Sequence, residues 1–295
     1  MIDAILNFEF IRYSFISGTL IGLIAPLIGT FIVVRRLSLI ADALSHVTLG
    51  GISFGMFLIT LSPLFAFVNP IWTGILFAII GALLIEYLRT SYKNYQEIAI
   101  PIIMSTGIGL SAIFISLAKG FNQELVGLLF GSISAVSISD LITIVTISVL
   151  VLAFIMLFYK ELFILSFDTE YSQVIGIPKW IQFLFIVIVA LVISASMRVI
   201  GVLLVSALIT LPVAIAMRWT KGFKQFILIS IIIGEFSVIV GLVTAFYLNI
   251  SPGGIIVVIL VIMLGLTLFY QSFVTGKLKG VKRNENGRSH SYIEK

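Results

Sequence analysis

The sequence contains no cysteine, only two histidines and only 11% charged residues. Without cysteine there is no disulfide, no thiolate metal site and no iron–sulfur cluster. With His46 and His290 alone, a multi-histidine catalytic centre within one chain is excluded, as is the H-E-x-x-H helix of zinc proteases. A G-x-x-x-x-G-K-[ST] phosphate loop is missing too, so the chain is read as no enzyme and cannot hydrolyse ATP alone. In place of charge there is apolar bulk: 60% of the 295 residues are hydrophobic, and mean hydropathy is +1.22. Soluble domains carry roughly a quarter charged residues, so a surface this apolar belongs in a bilayer. Several apolar runs exceed the roughly 18 residues that cross a membrane as helix, and the short alternating segments of a barrel are missing. The expected fold is an all-α polytopic membrane protein.

Nine spans are expected, at residues 12–34, 38–60, 70–89, 97–118, 140–159, 180–197, 199–218, 223–248 and 253–272. Only the short turn Ser196-Met197-Arg198 separates the sixth from the seventh. Eight spans with one broken or re-entrant helix is therefore the alternative. Of the 18 basic residues, 15 fall on one side of this scheme; Arg12, Lys119 and Arg198 fall on the other. Basic loops stay cytoplasmic, which puts the C-terminus inside and, with nine spans, the N-terminus outside. The net charge of +5 thus reports membrane topology, not nucleic-acid binding. Acidic Asp3 and Glu9, with no basic stretch before the first span, predict no cleavable signal. Residues 1–276 read as the transmembrane domain, and the polar, basic segment 277–295 as a disordered cytoplasmic tail.

Two connections are more than turns. The outer one, 119–139, holds the apolar piece Leu125–Phe130 between Gly120, Gly127 and Gly131. It suits a short re-entrant or interfacial helix as well as a loosely packed loop. Leu125, Leu128 and Leu129 are the candidate gate residues within it. The inner connection, 160–179, mixes Lys160, Glu161, Asp168, Glu170 and Lys179 with Phe163, Ile164, Leu165, Phe167 and Ile175. An amphipathic cytoplasmic segment of this kind lies on the membrane or docks a partner.

Each ionisable group inside a bilayer costs ~2.5–3.5 kcal/mol or more at the helix centre, so each needs a reason. Glu86 stands three residues before Arg89 near the inner end of its span and suits an ion pair. Asp42 and His46 are four apart and project from one helix face. At a rise of about 1.5 Å per residue, His46 lies about 16 Å beyond Arg35, near mid-membrane. A carboxylate and an imidazole so placed can share a divalent cation; they can equally hydrogen-bond a neighbouring helix, and spacing alone leaves both open. Glu235 lies in the eighth span and either lines a path or pairs with Arg198.

The stretch RRLSLIADALSHVTLGG, from Arg35 to Gly51, resembles a signature of the permease subunits of bacterial zinc/manganese ABC importers. MRVIGVLLVSALITLPVAIA (Met197–Ala216), LFILSFDTEYSQVIGIP (Leu162–Pro178) and SPGGIIVV (Ser251–Val258) match further motifs of that family, in order along the chain. The resemblance implies that Asp42 and His46 contact the transported metal, with Glu235 a further candidate ligand. It also implies that a segment near Ser166–Pro178, with Phe167, Asp168, Glu170 and Gly176, couples to an ATPase. The implied partners are two copies of an ATP-binding subunit, an extracellular metal-binding lipoprotein and a second permease copy. No permanent cofactor is implied; the cargo is Zn²⁺ or Mn²⁺, carried along the dimer axis across the bacterial cell membrane. Gly50 and Gly51, a turn beyond His46, are expected to let two copies approach closely. Manganese-type members often read H-x-x-L-P-G after the histidine; here Gly50 takes the place of that proline, which favours zinc. A proton-coupled secondary metal transporter using Asp42, His46 and Glu235 is the alternative function, but it calls for internal repeats or ion-coupled broken helices; no repeat is visible, and the coupling-type segment at 160–178 argues against it.

Overall fold

Backbone groups in hydrocarbon must find their partners within the segment, so apolar runs of this length close into helices. The computed structural model describes residues 7–62, 65, 67, 69–92, 95–118 and 123–290, except the side chains of 123, 124, 169, 170, 173 and 274–290. The helices are α1 (Glu9–Val34), α2 (Leu39–Leu61), α3 (Pro70–Ser91), α4 (Ala99–Leu117), α5 (Gln123–Phe130) and α6 (Ile138–Leu157). They continue with α7 (Tyr159–Phe167), α8 (Thr169–Val174), α9 (Lys179–Ile200), α10 (Val202–Ala216), α11 (Phe223–Leu248) and α12 (Pro252–His290). No strand occurs among the described residues. The side chains of the basic tail, 277–295, lie outside the described ones.

Eight of these helices are long and apolar enough to span a membrane; α10, at 15 residues, is the short apolar one. Side-chain contacts fix which ends share a face. Arg89 of α3 binds Glu86 at 3.3 Å, and Gln182 of α9 donates to the same carboxylate at 2.6 Å. Phe223 of α11 packs on Phe31 of α1, so these ends lie together on a basic face with Arg35 and Lys179. On the opposite face Ser251 donates to the Phe130 carbonyl, Ser14 to that of Ile133, and Arg198 to Asp140. Helix α10 runs between the two faces. Just before it Ile200 touches Gly253 of α12, and just past it the Arg218 carbonyl accepts a hydrogen bond from Gln271 of α12 at 2.8 Å. From Gly253 to Gln271 is about 27 Å of helix, so α10 with its flanks makes a ninth transit. The start of α1 and Gln271 of α12 therefore lie on opposite faces.

The sixth-to-seventh turn differs from the sequence expectation. Ser196, Met197 and Arg198 stay helical, Ser196 bonding back to Val192, and α9 breaks three residues later at Gly201. Gly201 adopts φ +94°, open to glycine, and a side chain there would strike the backbone of Leu129, Phe130 and Gly131. That close crossing, not the charge at Arg198, sets the break. Helices α1 and α9 are mostly buried and form the centre, whereas α3, α4 and α12 turn stripes of Leu, Ile and aromatic side chains outward.

Candidate functional site

The link between α1 and α2 fixes where α2 begins. Arg35 caps α1, Arg36 takes φ +57°, and Arg36 and Leu37 donate to the carbonyls of Val33 and Ile32. This is the Schellman pattern with arginine in the left-handed position, and its apolar Leu37 is buried. Next to it the Arg35 guanidinium lies 5.5 Å above the Phe185 ring. Burial, with the Arg89 charge nearby, pulls its pKa down to about 10. Helix α2 then starts at Leu39, with Asp42 in its first turn and His46 one turn further on.

Helix α2 is clamped by α3 and α4. A side chain at Gly51 would meet Phe77 Cβ at 2.5 Å and the Thr73 carbonyl of α3 at 2.6 Å. A side chain at Gly107 of α4 would meet the Val47 amide nitrogen at 2.7 Å and the His46 carbonyl carbon at 2.9 Å. Ser111 of α4 donates to the His46 carbonyl at 3.2 Å. Gly50 lies against Gly107 and Ser111. The glycines expected to bring two copies together are therefore buried inside one chain, where they let α3 and α4 close on α2. Backbone held this tightly leaves α2 little freedom to turn, and Leu39, Asp42 and His46 line the side left more open.

Both site residues are half-buried. Ser206 of α10 donates to Asp42 Oδ1 at 3.5 Å, at the outer limit of a hydrogen bond. Beyond His46 on the same face, Gly50 and Ser53 are buried, while Leu39 on the basic side is 59% exposed, so the strip opens toward the basic face.

Glu235 does not join this pair. It sits midway along α11 with a carboxylate oxygen over Gly22 of α1, and among the described residues no three His, Cys, Asp or Glu side chains form a metal-holding group. Nor does it pair with Arg198. That guanidinium bonds Asp140 Oδ2 at 3.1 Å and the Ala135 carbonyl at 3.1 Å, at the far end of the fold from the middle of α11. Sequence reading passed over Asp140. The pattern Ser137-x-x-Asp140 was the available signal: the two form a capping box that opens α6. Ser206 carried no such signal, since only the fold sets it beside Asp42.

The candidate gate forms α5. Leu125 and Leu128 are buried and Leu129 is half-buried. Its C-terminal end is tied down: Gly131 sits at φ +80° against Val199 and Ile200, Ser132 donates to the Arg198 carbonyl, and Ser251 bonds Phe130. Gly120 lies outside the described residues. On the basic face the predicted docking segment is two helices, split at Asp168, whose Oδ1 accepts from the Tyr171 amide. Phe167, Tyr171 and Val174 are exposed, and Gly176 (φ +80°) ends the pair before Pro178 opens α9. The Glu170 side chain lies outside the described ones.

Residues 7–271 match the model of the ABC 3 transport family. The chain belongs to the ABC 3 transport family. This family member is 32% identical over 265 residues to a Treponema pallidum protein named "Probable metal transport system membrane protein", covering 89% of this chain and 96% of that one. It is 29% identical over 283 residues to the manganese import system permease protein ScaB of Streptococcus gordonii, covering 96% and 97%. The solved structure of PsaBC from Streptococcus pneumoniae in complex with Fab superposes with a TM-score of 0.78 and 28% identity, over 90% of this chain and 93% of that one. Helical content, spans and family agree on a multi-pass membrane protein with the ABC permease fold.

Proposed function

We propose that the chain is the membrane permease of an ATP-driven importer of divalent transition-metal ions, with Asp42 and His46 as its ligands to the cargo. The observation that carries this reading is the α2 face itself: a carboxylate and an imidazole one turn apart, half-buried, on a helix braced by α3 and α4. One chain offers two ligands. A second copy meeting it across this face supplies two more, and two Asp42 carboxylates then cancel the charge of one M²⁺, lowering the cost of holding it in low dielectric. The basic face is cytoplasmic by the excess of Lys and Arg. There α7 and α8 dock one ATP-binding subunit per permease, and the opposite face receives metal from an extracellular binding lipoprotein.

For the ion we favour manganese. Imidazole and carboxylate serve zinc and manganese alike, but the named relative ScaB imports manganese. Gly50, the residue that favoured zinc, is a packing residue against α4. Uptake of radiolabelled manganese and zinc by cells making this permease with its ATPase tests the reading. Manganese uptake is expected, lost in Asp42→Ala and His46→Ala while the complex still assembles, and lost in Glu170→Arg together with stimulated ATP hydrolysis. Wild-type uptake in both α2 variants overturns the ligand assignment.

A further inference from the structure

Helix α10 carries a feature that the ligand pair does not use. Leu203, Ser206, Ala207, Thr210 and Ala214 are exposed or half-exposed and fall on one arc of the helix. The opposite arc, with Val205, Leu208, Ile209 and Val213, is fully buried. The open arc has a polar edge, Ser206 and Thr210, and Ser206 at its head is beside Asp42. Because α10 runs from the Gly201 face to the basic face and α2 runs the other way, the order toward the basic face is His46, Asp42 with Ser206, Thr210, Ala214. Successive rungs on α10 lie about 6 Å apart.

We infer that the Ser206–Thr210–Ala214 edge of α10 is the exit track of the divalent cation leaving Asp42, with Ser206 holding the Asp42 carboxylate at its head. This rests on the divalent-cation reading above. Thr210 Oγ1 donates its only hydrogen to the Ser206 carbonyl at 2.8 Å, so its remaining capacity is as an acceptor, the role an oxygen ligand needs. Neutral hydroxyl oxygens replace part of the hydration shell of a hard divalent ion without adding charge. That makes each rung weak enough to leave, as conduction requires. A third carboxylate here would trap the ion, and α10 contains no ionisable residue. Ala214 leaves space where the ion regains water near the basic face. Ser206 is a positioning residue: its hydroxyl, from a second helix, orients the carboxylate that α2 supplies.

The test uses the full permease–ATPase complex in inverted membrane vesicles. The permease has no native cysteine, so Thr210→Cys, Ala214→Cys and Leu208→Cys report accessibility through a mass shift of this chain with a water-soluble thiol reagent. Thr210→Cys and Ala214→Cys are expected to react at least about tenfold faster than the buried Leu208→Cys, with manganese slowing the reaction at 210. Equal rates at the three positions overturn the track. Ser206→Ala is expected to raise the KM for manganese by about tenfold, as loss of a group that orients a metal ligand does, while Ser206→Thr restores it. An unchanged KM in Ser206→Ala overturns the positioning role. Asp42→Ala run in parallel separates the two levels: loss of uptake there with no labelling at 210 or 214 sinks the track and leaves the ligand assignment standing, whereas uptake retained in Asp42→Ala sinks the ligand assignment on which the track rests.

Discussion

At the scale of single residues, burial decides which charges matter. Arg198 and Asp140 are 24% and 8% exposed, and Asp140 also caps α6 through Ser137. Arg12 and Glu9 form a looser pair at 3.8 Å, 41% and 74% exposed. An exposed pair contributes roughly 0–1 kcal/mol. Removing one partner of a buried charged hydrogen bond costs about 2 kcal/mol. Arg198→Ala is therefore expected to lower the thermal midpoint of the purified protein clearly, and Arg12→Ala to leave it almost unchanged; equal shifts would show that the outer pair carries no special weight. The pair Asp42–His46 was legible in the sequence because its spacing is local. Its partner Ser206, 164 positions away, was not. Of the two readings left open for Glu235, the pairing with Arg198 falls for the same reason: a charge near a span end has many candidate partners, and only packing chooses among them.

At the scale of elements, hydropathy alone located the spans, because the bilayer imposes length and composition on each one separately. What it could not locate was the join of α9 and α10. Helix continues past Arg198 because nothing there stops it, and it ends where Gly201 lets three backbones meet. Gly50 and Gly51 likewise read as contact residues from sequence, but which helix they contact depends on how α3 and α4 fold back. That packing has a testable consequence for the site. Gly107→Ala puts a methyl group against the backbone of His46 and Val47, neither of which can yield without moving α2. Overpacking of this kind costs about 1–3 kcal/mol. Here it should also displace His46, so metal uptake falls sharply while Gly109→Ala, with open space around it, behaves as wild type. Normal uptake in Gly107→Ala would mean that α2 is not held by α4.

At the scale of the whole molecule, the nine transits among the described residues put Glu9 and Gln271 on opposite faces and gather most of the described basic residues, the split helix pair α7–α8 and the open end of the Asp42 strip on one of them. The family was legible from four motifs spread along the chain, and membership is borne out across residues 7–271. The proposed ligands, Asp42 and His46, number two per chain, so the proposal has two copies sharing one ion. Equilibrium manganese binding to the purified permease–ATPase complex, followed through the electron paramagnetic resonance signal of free Mn²⁺, measures that directly. The account predicts one high-affinity ion for every two permease chains, lost in His46→Ala and in Asp42→Ala. One ion per chain, or binding that survives both substitutions, would contradict it.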